Sequence, residues 1–131
     1  MLSRYTMYRR RPANAGPLPV GIRQDTRYHT NHILRPTEDL VETYLNNPTD
    51  AAWHRFKSEY LALLEQRFHE ERTRFDDLAK LAMESNVYLG CNCPTAKNPV
   101  HGHCHTYLAL GFMKKHYLKL KIEIPSPPQE N

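Results

Sequence analysis

Three features of the 131-residue sequence predict an α/β fold. A mostly apolar run, Asn86 to Cys93, reads as a buried strand. A nearly all-apolar helical stretch follows from Cys104 to His116. A strictly alternating segment, Leu118 to Ile124, then puts Leu118, Leu120, Ile122 and Ile124 on one face and Lys119, Lys121 and Glu123 on the other. That alternation is the period of a half-buried strand. Strand, helix and strand in succession make a C-terminal βαβ unit, which joins parallel strands. The expectation is one small domain over residues 1–124, with a short, mostly parallel sheet and flanking helices. A proline-rich tail, 125–131, is expected to be disordered.

The remaining elements follow in chain order. Tyr5 to Tyr8 and Val20 to Arg23 read as short β pieces, separated by a Pro/Gly loop from Pro12 to Pro19. Tyr28 to Leu34 carries no assignable period. Thr37 caps a helix whose first turn carries Glu38 and Asp39, where acidic groups suit the positive end of the helix dipole. Asn46, Asn47 and Pro48 stop that helix, and Thr49 and Asp50 start another. Trp53, Phe56, Tyr60, Leu63 or Leu64, and Phe68 recur every three or four residues along it. Such an aromatic stripe reads first as core. Glu65 to Arg74 is either an exposed arc or a break, and Phe75, Leu78, Ala79 and Ala82 resume the apolar stripe.

Composition bounds the function. A chain of this length buries roughly two-thirds of its unfolded surface and folds without staples. No segment approaches the ~20 apolar residues that cross a bilayer. Met1 to Arg11 lacks an apolar signal core, so a cytoplasmic location and no membrane partner are expected. There are three cysteines, an odd number, and Cys91 and Cys93 are too close to bridge each other easily. Reduced thiols fit better than a disulfide framework. The net charge is +4, and the first 35 residues hold seven arginines, no lysine and one acid, Asp25. Forked guanidinium groups suit phosphate, so Arg9, Arg23 and Arg27 are candidate contacts for a nucleotide or nucleic acid. A solvated basic surface explains them equally well.

The chemistry concentrates in residues 91–105, which hold every cysteine and three of the eight histidines. In open α/β sheets, ligands bind beyond the carboxyl ends of the strands. Cys91 and Cys93 lie at such an end, on one face, and His101 to His105 opens the following helix. Three readings stand. A metal, zinc above all, is held by Cys91 and Cys93 with one or two of His101, His103, Cys104 and His105. Alternatively, Cys104 or Cys91 is a thiolate nucleophile with His103 or His105 as its base. In the third reading the cysteines are small buried hydrophobes and the histidines are loop residues. Lys97 lies in the loop that would approach a phosphate. His54 and His69 read as surface residues, His116 suits a helix end, and His29 and His32 are within reach of the site. No Walker, dinucleotide-binding, zincin or nucleophile-elbow motif is present.

The string from Val87 to Pro99, closing on Cys104, His105, Thr106, Leu108 and Ala109, resembles the family called domain of unknown function 488. So do Pro36 to Val41, Trp53 to Phe56, and Tyr60 with Leu61. The resemblance runs over roughly residues 20–124. It implies a few parallel strands and marks Cys91 and the pair Cys104–His105 as characteristic positions. Thr106 stands where the commoner form has arginine, which weakens an anion-binding role there. His101 and His103 are additions that favour a metal-binding variant. The family brings no activity. The expectation is therefore a small enzyme or ligand-binding protein acting on a phosphate-bearing or nucleotide-like ligand through Cys91, Cys104 and His105. The alternative is a non-catalytic basic module that binds nucleic acid or an acidic protein, or blocks or senses another machine, with the cluster structural or zinc-binding.

Overall fold

A computed structural model describes residues 1–100 and 102–125. Three strands, β1 (Leu2–Thr6), β2 (Ile22–Asp25) and β3 (Val87–Cys91), form a parallel sheet in the order β1-β3-β2. Four helices complete the fold: α1 (Glu38–Asn46), α2 (Asp50–Glu70), α3 (Arg72–Glu84) and α4 (His105–His116), with a short 3-10 turn at Ala13–Ala15. The architecture is α/β, as the sequence predicts. The last strand in sequence is the central one in space. That explains its composition, since a strand covered on both faces reads as an unbroken apolar run.

The caps are those expected. Thr37 accepts from the Leu40 N–H and Thr49 from the Ala52 N–H. The α2 stripe buries Phe56, Tyr60 and Leu64, and α3 adds Phe75, Leu78, Ala79 and Ala82. The polar run 65–74 contains a break at Glu71, and one of its members, Arg67, is buried. The Arg67 guanidinium donates to the carbonyls of Ile33 (2.9 Å) and Arg35 (2.6 Å). It thereby satisfies backbone acceptors in a segment with no secondary structure of its own. His54 and His69 are exposed.

Two expectations are corrected. The N-terminal strands sit elsewhere: β1 starts at Leu2 rather than Tyr5, and β2 at Ile22, with Val20 89% exposed. Register with β3 decides this, pairing Leu2 and Ile22 with Val87 from either side. The alternating segment Leu118–Ile124 is not a strand. Leu118 is 89% exposed, Tyr117 to Leu120 form a turn, and only Ile122 makes a parallel bridge, to Leu2. Two hydrogen bonds carry it, from Leu2 N to Lys121 O and from Glu123 N to Leu2 O, both 2.9 Å. The unit after β3 is thus strand, helix and a single bridge on the outer edge of β1. Of the tail expected to be disordered, 126–131 lie outside the described residues, as does His101.

Candidate functional site

β3 ends at Cys91, and α4 begins with Cys104 as its N-cap residue. The intervening loop turns back across the sheet end, so the three thiols meet within 4.8 Å of one another. The Cys91 and Cys93 sulfurs are 3.8 Å apart. Cys91 and Cys104 are buried, Cys93 is partly exposed, and all three are free thiols. Hydrogen bonding with the Cys104 and Cys93 sulfurs, then burial, raises the Cys91 thiol well above its usual range. Cys93 rises to about 11, chiefly through Cys104. Burial opposes ionisation of Cys104, but hydrogen bonds from Cys91 and Cys93 and the adjacent His105 outweigh it and bring Cys104 well below the usual thiol range. Hydrogen bonds within the trio thus favour ionisation at Cys104 over Cys91 and Cys93.

Several groups point hydrogen-bond donors at the sulfurs. The Thr106 hydroxyl donates to Cys104 Sγ at 3.2 Å, and Asn98 Nδ2 to Cys93 Sγ at 3.4 Å. Behind Thr106 lies Arg4 of β1, 9% exposed, whose Nε donates to Thr106 Oγ1 at 2.8 Å and whose Nη2 donates to the Cys93 carbonyl at 3.2 Å. Arg4 thus brings a guanidinium from β1 against the first turn of α4. Asn98, 2% exposed, also donates to the His103 carbonyl (2.6 Å) and accepts from Tyr44 (3.3 Å). It fixes the loop to α1.

The two described histidines of the cluster are held differently. His105 Nε2 lies 2.8 Å from Thr26 Oγ1, and that hydroxyl donates to the Gly90 carbonyl. Thr26 has one proton to give, so Nε2 carries the imidazole hydrogen and Nδ1 faces Cys104 Sγ, 3.8 Å away. His103 stacks on Trp53 with ring centres 4.5 Å apart, and its Nδ1 is 2.9 Å from the Tyr44 hydroxyl. Burial lowers its pKa.

These residues surround a cleft of about 320 Å³. Its floor is the thiol trio with His105, its wall is Trp53, Tyr44, Phe56 and His103, and its rim carries Arg27, Lys97 and His29. Arg27 is held by a forked pair with Asp25, 2.8 Å at the closest atoms. Arg9 is exposed and lines an adjoining groove that shares Arg27 with the cleft. Arg23 is exposed, donates to the Pro19 carbonyl and lines neither cavity. His32 stands apart, hydrogen-bonded to Gln24 and Leu34.

The structure therefore brings Cys91, Cys93, Cys104, His103, His105, Lys97 and Arg27 to one place. Among the described residues, the group that could hold a metal ion is Cys91, Cys93 and Cys104, while His103 is turned to Tyr44. Sequence reasoning missed Arg4, Thr26, Asn98 and Tyr44, and assigned Trp53 to the core. Only Arg4 left a signal, as a charge beside apolar Leu2 in the first strand.

The molecule is an α/β protein with a thiol- and imidazole-floored cleft at the carboxyl end of its central strand. It belongs to the domain of unknown function 488 family, matching over residues 7–117 the family model DUF488-N3a, described as the active DUF488-N3 subclade. No curated protein and no solved structure matches it. Among the described residues no helix is long and apolar enough to cross a membrane.

Proposed function

We propose that the protein is a small enzyme that takes a nucleotide-like ligand into the cleft and acts on it with the cysteine–histidine centre. The observation that carries this reading is the joining, in one cavity, of an aromatic wall, a cationic rim and the thiol floor. A planar base packs against the aromatic wall that Trp53 forms with His103 and Phe56, where base–aromatic stacking gains about 1–3 kcal/mol per base. A phosphate finds Lys97 at the rim and the remaining N–H groups of Arg27, whose Nε and Nη2 edge Asp25 holds. The scissile or reacting atom then lies over Cys104 and His105. A cleft of this size falls at the lower end of the range for small-molecule sites, which favours a mononucleotide. Zinc is the metal whose ligand preferences the thiol-rich floor fits best. The word "active" in the description of the matching subclade agrees with an enzyme.

Trp53 is the single tryptophan, so its fluorescence reports on the cleft wall. Titration with nucleoside monophosphates should give a saturable change. Trp53→Ala should weaken binding measured by calorimetry about 5- to 150-fold, the stacking energy expressed as affinity. No fluorescence change and no heat with any nucleotide would remove the reading. Binding confined to long nucleic acids, steeply salt-dependent and not competed by free nucleotides, would favour the basic binding module instead.

A further inference from the structure

We propose that Cys91, Cys93 and Cys104 form a three-thiolate zinc site whose fourth coordination position opens into the cleft. The inference rests on the sulfur geometry alone and stands whether or not the ligand is a nucleotide. At a Zn–S distance of ~2.3 Å, tetrahedral angles place sulfurs about 3.8 Å apart. The Cys91 and Cys93 sulfurs already lie at 3.8 Å, and all pairs lie within 4.8 Å. An inward movement of about 1 Å at most, within the reach of χ1 rotation, closes the trio on an ion of that size.

The surroundings are those a thiolate cluster needs. Binding of Zn²⁺ by three thiolates releases to solvent every proton the sulfurs still hold and leaves a centre of net charge −1. Hydrogen bonds from Thr106 to Cys104 and from Asn98 to Cys93 then point at the anionic sulfurs. Arg4 supports Thr106 from behind, and so places a positive charge one residue removed from the metal. Such outer partners orient ligands and tune the ion. Cys104 also occupies the N-cap position of α4, whose N-terminal N–H groups favour negative charge.

The fourth position is what makes the site more than a staple. Among the described residues no nitrogen joins the trio: His103 is committed to Tyr44 and Trp53, and neither nitrogen of His105 lies within 4.8 Å of all three sulfurs. All three cysteines line the cleft. A ligand oxygen or a water entering from the cleft therefore completes the tetrahedron, the arrangement of catalytic rather than structural zinc. There it would meet a Lewis acid, and a bound water would be activated toward hydroxide.

The test uses the full chain, purified without a metal-binding tag from zinc-supplemented medium. Elemental analysis should give one zinc per chain, and Co²⁺ substitution should give the intense near-ultraviolet sulfur-to-cobalt bands that report thiolate ligation. Cys93→Ser, at the most exposed of the three positions, should abolish stoichiometric zinc with the circular dichroism retained. Asn98→Ala should weaken zinc binding about 10-fold, and His103→Ala should leave stoichiometry unchanged. Added inorganic phosphate or azide should shift the visible cobalt spectrum. Metal-free wild-type protein that binds no added Zn²⁺, or cobalt protein without sulfur bands, would overturn the site. Sulfur bands with a visible spectrum indifferent to both added anions would overturn the open position. Neither outcome bears on nucleotide binding measured through Trp53.

Discussion

Acidification should unfold this protein through a histidine that lies outside the cleft. Burial, and then the charge of Arg74, depress the His32 pKa from 6.5 to about 4. The ring is neutral in the fold: Nδ1 accepts from the Leu34 N–H at 3.1 Å, and Nε2 donates to Gln24 Oε1 at 2.7 Å. Protonating Nδ1 destroys the acceptor that holds the start of the buried pair Ile33–Leu34. The folded pKa lies below the unfolded one, so the unfolded state binds more protons between them. The stability is therefore fully present above about pH 6.5 and is lost as pH falls toward 4. With pKa values of 6.5 unfolded and about 4 folded, the loss from pH 7 to pH 5 is about 2 kcal/mol. Urea denaturation at the two pH values measures it. His32→Asn is the control, since its Oδ1 can replace Nδ1 as the acceptor for Leu34 but does not titrate. The variant should be less stable at pH 7, through the lost Gln24 contact, yet flatter with pH by about 2 kcal/mol. Equal pH dependence in the two proteins would refute the argument, because acid loss would then arise from other groups.

Three further outcomes follow from the core and one turn. Phe75 is fully buried and touches Phe68 and Phe112, so Phe75→Ala should cost about 3–5 kcal/mol in denaturant unfolding. The Tyr60 hydroxyl, equally buried, donates to the Leu34 carbonyl at 2.6 Å; Tyr60→Phe should cost about 1–3 kcal/mol by orphaning that carbonyl. Gly21 has φ +148, and a Cβ there would lie 2.6 Å from the Asn86 carbonyl oxygen. Gly21→Ala should destabilise by more than about 1 kcal/mol, whereas Gly111→Ala, with open space around it, should be neutral or stabilising in the same thermal melts.

What could be read from the chain was what short stretches decide. Thr37 and Thr49 cap their helices through groups three residues away, so the caps are local facts. Cys91 and Cys104 converge because a strand end and the next helix start are joined by one loop, and two moderately clear periods locate both. The edge strands were not legible at their true bounds. β1 contains buried Ser3 and Arg4, which contradict an apolar pattern and are tolerated only because Thr106 and the Cys93 carbonyl, far along the chain, satisfy the guanidinium. The alternation of Leu118–Ile124 misleads for the converse reason. The period is right, but a turn at Tyr117–Leu120 leaves only Leu120 buried and Ile122 to bridge. Thr26 and Asn98 carry no pattern of their own, and Tyr44 reads only as a member of the α1 apolar stripe with Leu40, Val41 and Leu45. Their roles exist only once β2, α1 and the cysteine loop have been brought together.

If the thiol-floored cleft is the ligand site, an amide-resolved nuclear magnetic resonance titration of the full chain with a nucleoside monophosphate will map binding to it. The expected result is saturable shifts confined to the Trp53 indole and the amides of Cys93, Asn98 and His103, with Lys97 at the rim, while α3 stays fixed. Shifts elsewhere, with those five positions unmoved, would contradict it.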